Sequence, residues 1–373
     1  MPRFADPLQT TDIINPFPGI VALERMLGRA ITARIGSNEG LPIANEALLH
    51  AFGASFCELA RLYPDPSALA LRECVAAQQR VQAEQVLFDA GADSLLLLAL
   101  RSFCNAGDAV VTSAGTYPSF KYFAEGVGAR IIEVPYHDQA GLLAPNLSTM
   151  AAEATACNAK VVYLANPDNP SGYYHDRNAI RRFREQLPIE TALILDEAYI
   201  DFCGVEECLA LAGHGNVAID YPNTVRLRTL SKAYAAAGLR LGYALADAEW
   251  IKKAAMIRIH YATSSVAQAA GLILLNDERY KQQLIAQTLQ LRQQLTEQLS
   301  AAGNGRITVL PSATNFIAIR YSDAARATAV QQQLWQQGIS VHRPPHPALQ
   351  HLLRVTAQPA ALEATVISTL AGG

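Results

Sequence analysis

Residues 191–199 read TALILDEAY. A run of apolar and β-branched residues, closed by two carboxylates and a tyrosine, describes a strand buried on both faces that delivers polar groups at its carboxyl end. The same signature recurs upstream in VLFDAG (86–91), DAVVTSAG (108–115), ARIIEVPY (129–136) and KVVYLANP (160–167). Helical stretches lie between these runs. One is DSLLLLALRSFCNAG, with Asp93 placed as an N-cap and Gly107 near its end. Strands alternating with helices predict an α/β layer architecture, with a mostly parallel central sheet flanked by helices.

Near residue 265 the pattern changes. SVAQAAGLILLNDERYKQQLIAQTLQLRQQLTEQLSAAG reads as one long helical stretch with a break near Asn276–Asp277, and Leu284, Leu291 and Leu295 share a face that only Thr288 interrupts. RITVL, NFIAIRY and LLRVTAQ follow as strands, with the helix TAVQQQLWQQG among them. Its glutamines read as a solvated face. The chain thus divides into an irregular N-terminal segment (1–39) that packs on the small domain or a partner subunit, a large domain (40–265) and a smaller α/β C-terminal domain (266–373).

With 373 residues, half of them hydrophobic, the chain can bury a large core. Thirty Lys and Arg against 33 Asp and Glu give a net charge of −3, and the cations are scattered, which argues against nucleic acid or an anionic membrane as partner. No apolar run approaches the roughly 20 residues of a membrane span, and the start MPRFADPLQTTDIINPFPG has no apolar signal core. Cysteines 57, 74, 104, 157, 203 and 208 form no CxxC pair and read as reduced thiols of a cytoplasmic protein. His342, His346 and His351 crowd a proline-rich loop without Cys, Asp or Glu at ligand spacing, so no metal is expected there.

Ligands of such sheets bind outside the carboxyl ends of the strands, and the suggestive residues fall there. AGADS opens a helix with N–H groups suited to an anion, most naturally a phosphate. GTYPSF places Tyr117 after the next strand, ANPDNPSG places Asn169 after the fourth, and LDEAY places Asp196 and Tyr199 after the fifth. TLSKAYAAAGLRLG then sets Lys232 among small apolar residues, where a cation is hard to solvate but an amine that must lose its proton and attack a carbonyl is well placed. Singly, each has a plainer use: Asp196 as a helix cap, Tyr117 as core, the Asn-Pro run as a turn. Their common order and position point to one site.

Together these residues resemble the fold-type I pyridoxal-phosphate enzymes, and within them the histidinol-phosphate aminotransferase-like group. The resemblance runs from INPFPGIVALER and ARIGSNEG through RLYPDP, AGADS, GTYPSFKYF, NPDNPSG and LDEAYIDF to TLSKAYAAAGLRLGYALA, HYATSSVAQAA, TNFIAI and GISVHRPP…LLRVTA. It implies an aspartate-aminotransferase-like fold and a ping-pong exchange between an α-amino acid, or related amine, and a 2-oxo acid. Lys232 would form the Schiff base with pyridoxal 5'-phosphate. Asp196 would pair with the ring nitrogen, Tyr199 and Asn169 would bond the ring hydroxyl, and Tyr117 would stack on the ring. Ala92, Asp93, Ser231 and Arg240, with Thr229 as a further candidate, would hold the phosphate. Tyr63 would reach the phosphate of the neighbouring subunit, making the enzyme a homodimer with shared active sites, and Tyr261 is a second residue of that kind. Arg354, Arg343, Asn38 and Phe17 match substrate-binding positions.

The resemblance thins at the N-terminus. Phe17 stands where the group has a tyrosine, and Asn38-Glu39-Gly40-Leu41 replaces Asn-Glu-Asn-Pro. A phenyl ring cannot donate a hydrogen bond, so both changes argue against histidinol phosphate as the natural substrate. They leave open a second chemistry on the same cofactor: decarboxylation, elimination or cyclisation of a functionalised amino acid.

Overall fold

The computed structural model describes residues 5–7, 16, 19–53, 55–139, 141–203 and 222–372, so Phe17 and Cys208 lie outside the described residues. Helix α1 (Ile20–Leu27) and strand β1 (Ala33–Arg34) precede α2 (Glu46–Ala51), α3 (Ser55–Arg61) and α4 (Leu69–Gln79). There follow β2 (Val86–Asp89), α5 (Ala92–Phe103), β3 (Ala109–Ser113), α6 (Pro118–Gly126) and β4 (Arg130–Val134). A small hairpin, β5 (His137–Gln139) and β6 (Leu142–Ala144), leads to α7 (Leu147–Ala156), β7 (Val161–Ala165), α8 (Arg177–Gln186) and β8 (Ala192–Asp196). Strands β9 (Thr224–Thr229) and β10 (Gly242–Leu245) complete the large sheet, and α9 (Ala248–Ala255), α10 (Ser265–Asn276) and α11 (Glu278–Gly303) come next. The chain ends with β11 (Thr308–Val309), β12 (Phe316–Arg320), α12 (Ala324–Gln336), β13 (Ile339–Ser340), β14 (Leu352–Thr356) and α13 (Ala364–Leu370).

The large sheet has seven strands in the order β2-β10-β9-β8-β7-β3-β4. Neighbours from β9 to β4 are parallel, and β10 alone runs antiparallel to both of its neighbours. Strand β8 explains the continuous apolar pattern: Ala192 and Ile194 enter a core with Leu95 and Phe120, while Leu193 and Leu195 enter another with Met150 and Phe183. Side chains alternate across a strand, so covering both faces demands apolar residues at every position. ARIIEVPY departs from that expectation. As β4 it forms the sheet edge, with Arg130 exposed and Glu133 half-buried, and edge strands carry such charges without cost to a core.

Strands β11, β12 and β14 form a separate antiparallel sheet, whose core gathers Ile317, Val355, Leu299, Val330 and Val366. Strand β1 pairs in parallel with β13, and Ile35 is buried in that core, so residues 33–35 join the small sheet's side. The helix break falls where expected because Asp277 caps α11, its carboxylate accepting from the Tyr280 N–H at 3.0 Å. Packing, however, continues through 265/266. Helix α10 contributes Ala267 and Leu274 to the core of Leu71 and Val75, and α11 gives Leu284 to that core and Leu295 to the other. The change of core therefore falls inside α11, which spans both. On its buried stripe Leu284, Thr288 and Leu295 are buried and Leu291 is half-buried.

Candidate active site

Strand order reverses at β3, which has β4 on one side and β7 on the other, and this opens a crevice at their carboxyl ends. A cavity of about 730 Å³ lies there, and Lys232, Asp196, Asn169, Tyr117, Arg240 and Arg354 all line it. Adjacent register pairs, Ala165 with Asp196 and Asp196 with Leu227, align the ends of β7, β8 and β9 so that their polar termini converge.

At the head of α5 the N-cap is Gly91 rather than Asp93, which sits in the first turn. Gly91 has φ of 85°, a region that favours glycine, and a Cβ there would meet the Arg240 guanidinium at 2.6 Å. Ala92, Asp93, Ser231, Thr229 and Arg240 therefore surround one end of the cavity with helix N–H groups, hydroxyls and a planar cation. The Thr229 hydroxyl donates to Ser231 Oγ at 2.9 Å and accepts from the Ser231 N–H at 3.0 Å, fixing both side chains. Such a donor set fits a phosphate. Asp93 also accepts from the Tyr117 hydroxyl at 2.9 Å, which sets the tyrosine ring over the site.

Asp196 is buried at the end of β8, and burial pushes its carboxyl up to about 6. The Tyr163 hydroxyl donates to Oδ2 at 2.8 Å and the Ala198 N–H to Oδ1 at 3.0 Å. A buried carboxylate facing a cavity fits a protonated ring nitrogen, which would supply the missing countercharge. The Lys232 ammonium donates to the Asn38 carbonyl at 3.0 Å and stands 5.7 Å from the centre of the Tyr199 ring. Lysine, carboxylate and anion cradle together match the functional groups of pyridoxal 5'-phosphate.

Arg354 is only 4% exposed. It donates to Asn169 Oδ1 at 2.6 Å and to the Gly36 carbonyl at 2.7 Å, while its guanidinium lies 5.3 Å from the centre of the Phe316 ring. Among the described residues its Nε has no hydrogen-bond partner. Arg343 also lines the cavity and donates to the Thr328 hydroxyl of α12.

One expectation changes. Asn38 does not form cavity wall but stands behind it: its amide donates to the Tyr199 hydroxyl at 2.9 Å and its oxygen accepts from Thr356 Oγ1 at 2.9 Å. With φ of 52° it turns its carbonyl to Lys232, so it meets Lys232 and Tyr199 from behind the cavity wall. Tyr63 and Tyr261, expected at the neighbouring subunit's site, stand outside this cavity and pack together at 4.9 Å between ring centroids, 84% and 46% exposed. The sequence reading missed Tyr163 and Phe316, which look like ordinary core aromatics inside strands. It also missed Gln331 and Trp335, cavity residues on the helix whose glutamines read as a solvated face.

The chain matches the family model for aminotransferase class I and II over residues 38–372. It is 34% identical over 310 residues to a histidinol-phosphate aminotransferase of Anaeromyxobacter sp. (strain Fw109-5), covering 82% of this chain and 81% of that one. The crystal structure of histidinol-phosphate aminotransferase from Sinorhizobium meliloti in complex with pyridoxal-5'-phosphate is similar with a TM-score of 0.88 at 32% identity, over 100% of this chain and 96% of that one. A Thermus thermophilus aspartate aminotransferase mutant shares the fold, with a TM-score of 0.82 at 19% identity over 100% of both chains. The cavity's chemistry and these likenesses agree: the chain belongs to the class I and II aminotransferases, with pyridoxal 5'-phosphate as cofactor.

Proposed function

We propose that this aminotransferase takes an α-amino acid or a related amine as donor and a 2-oxo acid as acceptor, exchanging them in turn at the one cavity. The observation that carries this reading is the convergence of Lys232, Asp196 and Arg354 on that cavity. Bound there, pyridoxal 5'-phosphate supplies an aldehyde for amines and a ring that takes up the electron pair released at the substrate Cα. Asp196 holds the proton at the ring nitrogen, with Tyr163 fixing the carboxylate. Lys232 accepts the proton leaving the substrate Cα and returns it, and Asn38 and Tyr199 hold it in place. Arg354 pairs in bidentate fashion with the substrate carboxylate, presented by Asn169, Gly36 and Phe316. Arg240, Ser231, Thr229 and the first turn of α5 hold the cofactor phosphate, and Tyr117 covers the ring and excludes water.

The exposed tyrosine pair supports a homodimer in which Tyr63 and Tyr261 serve the partner's cavity, with exposed Leu62, Ile257 and Ile259 beside them in the chain. Residues from all three divisions, 1–39, 40–265 and 266–373, line the cavity, and a cytoplasmic setting accords with the free thiols at Cys57 and Cys74. Borohydride treatment of the loaded protein followed by peptide mass spectrometry should find the vitamin fixed on Lys232. Adding donor amino acids should convert the bound cofactor to its amine form by absorbance. Vitamin fixed elsewhere, or no conversion by any donor, defeats the reading.

A further inference from the structure

The amphipathic helix whose glutamines read as a solvated face puts one of them inside. In VQQQLWQQG, Gln332, Gln333, Gln336 and Gln337 are exposed, while Gln331 is only 7% exposed. Its neighbours Ala327, Val330 and Leu334 fill the core, Trp335 lines the cavity and Thr328 accepts from the cavity residue Arg343, so Gln331 sits where the core stripe meets the cavity wall. Its amide has no hydrogen-bond partner among the described residues, yet it lines the cavity. Its amide oxygen and nitrogen are open to the cavity instead of sealed in the core, so this mostly buried side chain holds two donors and an acceptor where a ligand would meet them.

The surroundings restrict that ligand. Ile20, Leu23 and Met26, spaced three apart on α1, present an apolar wall to the same cavity, and Trp335 adds an indole. Arg34 is neutralised by Glu39 at 2.9 Å. Arg343, which donates to the Thr328 hydroxyl, keeps its charge for an anionic acceptor. An exchange enzyme must admit two side chains in turn, and this wall offers an unspent cation for one and an uncharged amide for the other.

We propose that Gln331 determines donor specificity: its amide hydrogen-bonds an uncharged polar group, such as an amide or hydroxyl, at the far end of the donor's side chain, while the apolar stem lies against Ile20, Leu23 and Trp335. This rests on the aminotransferase reading above and deepens it. The contribution is a discrimination between nearly isosteric donors, because a buried amide facing an apolar analogue loses its partner.

The test compares holoenzymes of the native chain, Gln331→Met and Gln331→Asn on two matched pairs, glutamine with methionine and tyrosine with phenylalanine. Rates of donor turnover are measured, together with calorimetric binding of the α-methyl analogues, which cannot lose the Cα proton. The native enzyme should favour the polar member of at least one pair. Gln331→Met should lower kcat/KM and affinity for that member about tenfold, while its apolar match changes by less than about twofold. Gln331→Asn, which keeps the amide but withdraws it by one methylene, should fall between and serves if the methionine variant does not fold. An equal loss for both members, or no native preference for a polar member, overturns the proposal. If native enzyme binds the analogues with a preference that disappears in Gln331→Met yet turns over no donor, the aminotransferase reading fails and the recognition role of Gln331 survives.

Discussion

The inner and outer halves of the cavity are built from different material. Inside, Asp196, Thr229, Ser231 and Arg354 are each at most 7% exposed and sit on or directly after strands of the two sheets. Outside, Met26, Arg34, Glu39 and Trp335 are half-buried or exposed, on α1, β1, the turn that follows β1, and α12. Strand ends are held by ladder hydrogen bonds on both sides, so they can fix a carboxylate or a cation within the tolerance that chemistry demands. The outer wall has only to fit a side chain. It follows that inner substitutions should lower the rate with every donor, while outer ones should change which donor is used.

The largest effect separating the halves is expected at Lys232. Lys232→Ala removes the proton carrier at the substrate Cα and should lower turnover by about 10⁴-fold with all donors. Steady-state and single-turnover rates across a donor panel measure it. A loss confined to some donors would erase the distinction between the halves.

Arg354→Lys should come next. Lysine keeps the charge but not the planar fork, and it would have to replace bonds to Asn169 and Gly36 inside a buried site. We expect kcat/KM to fall about 10²–10³-fold for α-amino acids, mainly through KM, with cofactor absorbance unchanged. A carboxylate-free amine should lose far less, and its losing as much would place Arg354 in the cofactor's own support.

The same contrast governs what the sequence discloses. TALILDEAY announces both its strand and its site because burial on two faces and chemistry at the end each leave a mark on residue type. NPDNPSG and TLSKAYAAAGLRLG do likewise through residues that only a cofactor site brings together in that order. The outer half leaves no such mark. Gln331 differs from Gln332 and Gln333 only in its angle around α12, and that angle is decided by how the helix packs on β12 and β14. Asn38 is legible as important but not in its role, since its bonds to Tyr199 and Thr356 join residues far apart in the chain. Gly91 displaced Asp93 as the cap because the guanidinium of Arg240, contributed from beyond β9, occupies the space a side chain would need.

The loop that presents Asn169 offers a stability test of how firmly the inner half is held. Asp168 is buried and accepts from the Ser171 hydroxyl at 2.7 Å, the Ser171 N–H at 3.1 Å and the Tyr136 hydroxyl at 3.1 Å. Burial nonetheless pushes its carboxyl up to about 6 from its ordinary value of 3.8. The folded chain then binds more protons than the unfolded one between about pH 4 and 6, so this group's contribution falls as pH rises through that window and is level above it. Denaturation of the cofactor-free protein from pH 4 to 7 should show the native chain losing about 2 kcal/mol relative to Asp168→Asn across the window. Parallel curves would mean that the carboxylate is ionised throughout and its hydrogen bonds outweigh burial.

The smallest effect is expected on the outer wall, at the pair Arg34 and Glu39. Their side chains are 47% and 36% exposed, and they meet at 2.9 Å. An ion pair that open to water contributes about 0.5 kcal/mol or less, further reduced by salt, so Arg34→Ala should leave the melting temperature nearly unchanged. Its mark should instead be selective. With Arg34 gone, Glu39 faces the cavity uncompensated, so a cationic donor such as lysine should gain a few-fold in kcat/KM at low salt, and a dicarboxylic acceptor should lose a similar factor. Both shifts should fade as ionic strength rises, because the charges concerned are reached by solvent. A uniform tenfold loss with every donor would show that the outer wall supports the chemistry itself, and the contrast between a fixed interior and a permissive exterior would have to be abandoned.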